Sequence, residues 1–150
     1  MTEKRTLCLL GAIAGDVIGS VYEYNAPKST WFEMFTPDSQ ITDDSILTIA
    51  VADAIVNERS YLDSIREYAL EYPNSGYGGM FRQWMHAETP QPYNSFGNGS
   101  AMRVSPVGWA FDTVEDVLRE AKASAAVTHN HPEGIKGAQA VALAIFRARN

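Results

Sequence analysis

A chain of 150 residues, 45% hydrophobic and 20% charged, has the length and composition of one soluble globular domain with a real core. Its formal net charge of −6 argues against non-specific binding to nucleic acid or to an anionic membrane, since both need a positive surface. A phosphorylated ligand is not excluded, because backbone N–H groups or a bound divalent cation can hold a diphosphate without a basic patch.

The first element is predicted as a helix from Leu7 to about Tyr24. Within it, Gly11, Gly15 and Gly19 recur every fourth residue and so fall on one face, where another backbone could approach closely. The apolar stretch 7–14 is cut by Asp16. It is too short and too polar to span a membrane, and reads as buried helix. Cys8 is the only cysteine, so no intramolecular disulfide or zinc-type cysteine cluster can form, and a reducing cytoplasmic setting is expected. Residues 25–41 lack a clean period and read as a loop.

A second helix is predicted from Asp43 to Asn57, and a third follows Ser60, whose spacing to Asp63 fits a capping box, and ends near Tyr72. Residues 74–79 form a glycine-rich flexible joint before a short helix, Met80 to Ala87. Residues 88–99 are a Pro- and Gly-rich loop leading into Ser100–Arg103. Thr113 with Asp116 opens a helix to about Val127, and Pro132 opens the last, from Glu133 to Ala148. Alternating β-branched runs bounded by hairpin turns are scarce, so the fold class is all-α.

Four stretches carry chemistry. Thr42-Asp43-Asp44-Ser45 lies where a loop becomes a helix; two carboxylates and a hydroxyl there suit a hard cation such as Mg²⁺. Read alone, the tetrad is more readily an N-cap whose acids favour the positive end of the helix dipole. Asp16 and Glu23 are seven residues apart on one helix face, with Ser20 between them. Solvent-facing acids are the commoner case there, and a metal partner is the functional one. Residues 95–103 (SFGNGSAMR) have the composition of an anion-cradling turn, or of a plain loop with Asn98 left-handed. In Thr128-His129-Asn130-His131, the imidazoles could meet metal, ribose or phosphate, or cap the preceding helix. Arg103 could hold a ligand anion or make a structural ion pair.

Taken together, Gly11-Ala12-Ile13-Ala14-Gly15-Asp16-Val17-Ile18-Gly19 with Tyr22-Glu23, then Thr42-Asp43-Asp44-Ser45, then Gly97-Asn98-Gly99-Ser100-Ala101-Met102-Arg103, then Thr128-His129, resemble the ordered motifs of the ADP-ribosylglycohydrolases. That family includes the dinitrogenase-reductase-activating glycohydrolase and the ADP-ribosyl-acceptor hydrolases. The resemblance implies a compact multi-helix bundle with a binuclear Mg²⁺ centre, sometimes Mn²⁺, at the floor of an ADP-ribose cleft. It also implies hydrolysis at the ribose C1″ of ADP-ribosylated proteins or ADP-ribose derivatives.

On this likeness Thr42, Asp43 and Asp44 are metal ligands, and Glu23, Asp43 and Asp44 form the catalytic group. Ser95, Phe96, Gly97, Asn98, Gly99, Met102 and His129 contact the substrate, and Asp16 supports the site. Two metals of this kind would hold the ribose hydroxyls and lower the pKa of a water, with Glu23 moving a proton in a reaction that passes through an oxocarbenium-like transition state.

The second acidic motif of the family, near its C-terminus, has no counterpart: after Asp63 the only aspartates are Asp112 and Asp116. The chain is therefore expected to be the N-terminal part of the family's single domain, as a truncated chain, one half of a split protein or a cut end. A second chain or further sequence would supply the missing C-terminal half. A domain that binds ADP-ribose without hydrolysing it, or serves as a helical interaction module, is the alternative.

Overall fold

The computed structural model describes residues 3–149, with side chains described from Leu9 onward, so Met1, Thr2, Asn150 and the side chain of Cys8 lie outside the description. The described residues form eight helices and no strand: α1 (Glu3–Gly19), α2 (Asp43–Val56), α3 (Tyr61–Glu71), α4 (Gly79–His86), α5 (Gly99–Met102), α6 (Ser105–Ala110), α7 (Val114–Ala126) and α8 (Pro132–Arg149). The fold is all-α. No helix among the described residues is long and apolar enough to cross a membrane.

Helix α2 is the axis of the molecule because its sequence is apolar on nearly every side: Ser45, Ile46, Leu47, Thr48, Ala50, Val51 and Ala54 are buried. Its one mid-helix acid, Asp53, accepts hydrogen bonds from Asn57 Nδ2 (2.7 Å), Arg59 Nη1 (2.7 Å) and Ser64 Oγ (3.1 Å). That answers the requirement for a partner at a half-buried carboxylate. Helix α3 packs on α2 through Ser64, Ile65 and Ala69, with Ser64 Oγ also donating to the Ala50 carbonyl at 2.8 Å.

On the other side α7 and α8 form a pair, burying Val117, Ala121 and Ala125 from one helix and Ala138 and Ala142 from the other. Helix α6, which the sequence reading left as irregular chain, lies against α8 at backbone contact. A Cβ on Gly108 would fall 2.7 Å from the Ala142 carbonyl oxygen, so only glycine fits. Arg149 then ties the end of α8 to this region, donating to the carbonyls of Trp109 (2.8 Å) and Phe111.

Three N-caps form as their sequences imply. The side chains of Thr42, Ser60 and Thr113 accept from the backbone N–H of Asp44, Asp63 and Asp116. Helix α1 corrects the sequence reading twice. It ends at Gly19 rather than Tyr24: Ser20 Oγ donates back to the Val17 carbonyl at 2.9 Å, and the chain then turns away. It is also not a buried helix. No residue from Leu9 to Gly19 is buried, and Leu10 is 58% exposed, because α1 packs chiefly against α2 and α6 among the described helices. Its glycine stripe meets nothing within 4 Å, so the close backbone approach expected there does not occur among the described residues.

Candidate functional site

The site begins with one hydrogen-bonded carboxylate. Asp16, near the end of α1, accepts from Thr42 Oγ1 (2.6 Å) at Oδ1. At Oδ2 it accepts from Thr42 N (2.9 Å), Ser45 N (3.2 Å) and Ser45 Oγ (2.5 Å). Asp16 therefore holds the first turn of α2 from outside that helix. The Thr42 hydroxyl proton is shared between Asp16 Oδ1 and, at a longer 3.4 Å, Asp44 Oδ2, while the oxygen's lone pairs remain free to accept and Asp44 N donates to it at 3.3 Å. Thr42 is thus both cap and cluster member.

Asp43 and Asp44 follow in the first turn of α2. The helix dipole favours acids there, yet burial and the neighbouring Asp44 push Asp43 up to about 6, with Glu23 and Asp16 adding to the repulsion. Asp44 is raised too, by burial and then by Asp16, against the hydrogen bond from Thr42. Four acids therefore repel one another, and no Lys or Arg among the described residues pairs with any of them.

Glu23 lies outside α1, in the turn after it, and is exposed. It nonetheless shares a depression of about 250 Å³ with Asp16, Thr42 and Asp44, floored by Gly15 and Gly19. The shared helix face predicted for Asp16 and Glu23 is replaced by proximity across a turn. These hard oxygen donors fit a divalent cation in kind. They fit it as a partial set, because no three His, Cys, Asp or Glu side chains among the described residues are gathered closely enough to hold a metal.

Asp43 opens on the opposite side into a second pocket of about 200 Å³. Of the residues expected to contact substrate, Ser95, Gly97, Asn98, Gly99, Met102 and His129 line this pocket together with Asp43. Phe96 does not: it is 75% exposed and packs its ring on His131, 5.4 Å between centroids. His131 also departs from a metal or ligand role, since its Nδ1 accepts the backbone N–H of Glu133 and so serves the start of α8.

The pocket wall is stitched to the 128–131 segment by Tyr93 N to the Thr128 carbonyl (3.2 Å) and Asn94 N to Asn130 Oδ1 (2.7 Å). Ser100 Oγ donates to the Gly134 carbonyl at 2.9 Å, and a Cβ on Gly134 would sit 2.6 Å from the Ser95 carbonyl oxygen. The glycines of the 97–99 turn do not have positive φ, and Asn98 is right-handed at φ −76°. The left-handed residue is Asn94, at φ 54°. Gly99 is needed for proximity instead: a Cβ there would lie 2.9 Å from His129 Cε1.

Arg103 is wholly buried, yet it is among the residues that line the pocket. Among the described residues no carboxylate pairs with it. Its Nη2 donates to the Ser124 carbonyl (2.9 Å) and to Thr128 Oγ1 (2.8 Å). Burial lowers Arg103 to about 10, which leaves it charged at neutral pH, and burial together with that charge pushes His129 down to about 4.

Sequence reasoning missed Leu47, Gly78, Gly79, Met80 and Phe81, which also line the pocket, and Tyr93 on the His129 side of it. The stretch read as a flexible joint is docked, with the Ser75 carbonyl accepting from Asp43 N at 2.7 Å and Gly76 at φ 98° set against Asp43. Its glycine density was the available signal.

Comparison with known proteins agrees with the motif order. The sequence profile of the ADP-ribosylglycohydrolase family matches residues 2–150. The ADP-ribosylhydrolase ARH3 of Mus musculus is 30% identical over 176 aligned positions, covering 94% of this chain and 48% of the relative. The ARH3 of Homo sapiens is 29% identical with the same coverage, and that of Gallus gallus 27% identical over 94% of this chain and 49% of its own length. The chain spans about half the length of the curated relatives it matches.

Proposed function

Because the chain belongs to the ADP-ribosylglycohydrolase family, we propose that it is the acidic half-site of a metal-dependent hydrolase. It would act on the ribose C1″ bond of ADP-ribosylated proteins or ADP-ribose derivatives, as a cytoplasmic protein. The observation that carries this reading is Asp43: a carboxylate raised by burial and by three neighbouring acids, at the edge of the pocket lined by Ser95, Asn98 and His129. A cation removes that repulsion and brings the positive charge that a chain of net charge −6 lacks.

Thr42, Asp43 and Asp44 would hold the cation, Mg²⁺ or Mn²⁺. When bound it supplies charge that fixes ribose hydroxyls and activates water. The loop 95–99 and His129 hold the ribose and diphosphate. As the C1″ bond breaks through an oxocarbenium-like transition state, the leaving group takes the electron pair and a proton from solvent water. A water oxygen then bonds to C1″, and Glu23 accepts its proton. The remaining acidic ligands come from the other half of the domain, as further sequence or a second chain.

The test is release of ADP-ribose from an ADP-ribosylated peptide, by the chain alone and with a C-terminal half of an ARH3 relative added. Turnover that needs Mg²⁺ and falls about a hundredfold or more in Asp43→Ala and Asp44→Ala is expected. No turnover in either mixture overturns the enzyme reading. The absence, among the described residues, of any grouping of three metal-ligating side chains favours a second reading, ADP-ribose binding without hydrolysis. Calorimetric binding of ADP-ribose that is indifferent to chelator, with no product, selects it.

A further inference from the structure

His129 enters the pocket as one member of a chain of hydrogen bonds whose direction can be worked out from donor and acceptor counts. The chain starts at Arg103, whose guanidinium has donors and no acceptor. Arg103 Nη2 donates to Thr128 Oγ1 at 2.8 Å, so one lone pair of that hydroxyl is used and its own proton must go elsewhere. Thr128 is wholly buried, and the other polar atom within reach of its hydroxyl is His129 Nδ1, at 2.8 Å. If Nδ1 carried a proton, the hydroxyl would accept twice and its hydrogen would be buried without an acceptor, which costs the desolvation of an unpaired donor. The satisfied arrangement runs one way, from Arg103 to Thr128 and from Thr128 to Nδ1.

We propose that Arg103 and Thr128 are positioning residues that fix His129 as its Nε2–H tautomer. The imidazole then meets an acceptor oxygen of the ligand, a phosphate or ribose hydroxyl, as a hydrogen-bond donor. Burial and the Arg103 charge keep the ring neutral, which leaves Nδ1 free to accept. Among the described residues Nε2 has no hydrogen-bond partner: it lies on the side of the ring that faces Gly97 and Gly99, where a Cβ on Gly99 would come 3.0 Å from it. The ring plane is held on its other flank by Tyr93, 5.9 Å between centroids. A buried cation with no carboxylate partner is thereby given a use. It sets the polarity of a relay whose far end is a donor in the pocket that Asp43, Ser95 and Asn98 also line. The assignment of the ligand rests on the function proposed above; the tautomer does not.

Long-range ¹H–¹⁵N correlation on the labelled chain at neutral pH reads the tautomer directly, with His129 identified by loss of its signals in His129→Gln. Protonated Nε2 and bare, hydrogen-bonded Nδ1 are expected; an Nδ1–H pattern overturns the relay. Thr128→Val removes the hydroxyl and should give a mixture of tautomers, whereas Thr128→Ser should keep Nε2–H. A folded Thr128→Val with an unchanged pure Nε2–H pattern also overturns it. If Thr128→Val does not fold, a Thr128→Ser chain that loses the pattern has the same force.

Calorimetry with ADP-ribose tests the donor role separately. Thr128→Val is expected to bind about tenfold more weakly, the size of one lost hydrogen bond, and unchanged affinity with the tautomer lost removes that role. A chain that shows Nε2–H but does not bind ADP-ribose keeps the relay and loses the proposed function. A chain that binds with Nδ1–H does the reverse.

Discussion

The corner around Asp16 and the wall around Arg103 border one site, but their charges are treated differently. Arg103 is buried without a counter-ion, and neutral acceptors, the Ser124 carbonyl and the Thr128 hydroxyl, receive two of its N–H bonds. The corner brings Asp16, Glu23, Asp43 and Asp44 together and gives full hydrogen-bond satisfaction only to Asp16. The wall is also closely packed, with Gly134 against the Ser95 backbone and Gly99 against the His129 ring, whereas the corner joins the first turn of α2 to Asp16 on a helix with no buried residue among those described. The wall is held by contacts within this chain, with Arg103 Nε and Nη1 finding no hydrogen-bond partner among the described residues. The corner gathers four carboxylates that no Lys or Arg among the described residues pairs with.

Gly134→Ala should give the largest loss of stability, about 3 kcal/mol in urea unfolding, because a Cβ 2.6 Å from the Ser95 carbonyl forces backbone apart. A loss below about 1 kcal/mol would mean the wall is softer than its contacts imply. Asp16→Ala comes next, at about 2 kcal/mol: it strips acceptors from Thr42 and Ser45, and since Asp16 is only half-buried, water takes up part of the deficit. If the corner were already loose, this substitution would change stability little.

The two regions should also respond to pH with opposite sign. Asp43 titrates near 6 in the folded chain and near 3.8 when unfolded. The folded state therefore binds more protons between those values, and this contribution falls as pH rises through the window. His129 titrates near 4 when folded and 6.5 when unfolded. The unfolded state binds more protons there, so its contribution rises with pH. The two nearly cancel in the chelated protein.

Asp43→Asn should remove the falling part and steepen the rise, by about 1 kcal/mol once solvent screening of a half-exposed carboxylate is allowed for. His129→Gln should leave a net fall. Urea midpoints between pH 4 and 7 check both, and parallel profiles in the two variants would break the comparison. The smallest effect belongs to Phe96→Ala, whose ring is exposed outside the pocket. Stability should change by no more than about 0.5 kcal/mol, and a large loss of ADP-ribose affinity would show that this loop rearranges around ligand.

The features legible in the sequence were those decided within a turn or two of chain. Thr42, Ser60 and Thr113 cap helices because a hydroxyl three residues or fewer before a free N–H reaches it whatever the rest of the fold does. The boundaries of α2, α3, α7 and α8 followed from such signals and from apolar runs, and the all-α class from the scarcity of strand patterns. The order of the acidic and glycine-rich motifs pointed to the family, and the family profile matches across residues 2–150.

Tertiary structure decided what required two distant segments to meet. Asp16 bonds Thr42 and Ser45 across 26 and 29 residues, Arg103 reaches Ser124 and Thr128, and Gly76 closes on Asp43. The stripe Gly11, Gly15 and Gly19 shows the same limit in reverse. Its spacing allows close approach, but spacing cannot supply a neighbour, and among the described residues none is there. Whether a carboxylate caps, repels or ligates depends on the charges and oxygen donors around it, and these are set by packing rather than by adjacency in the chain.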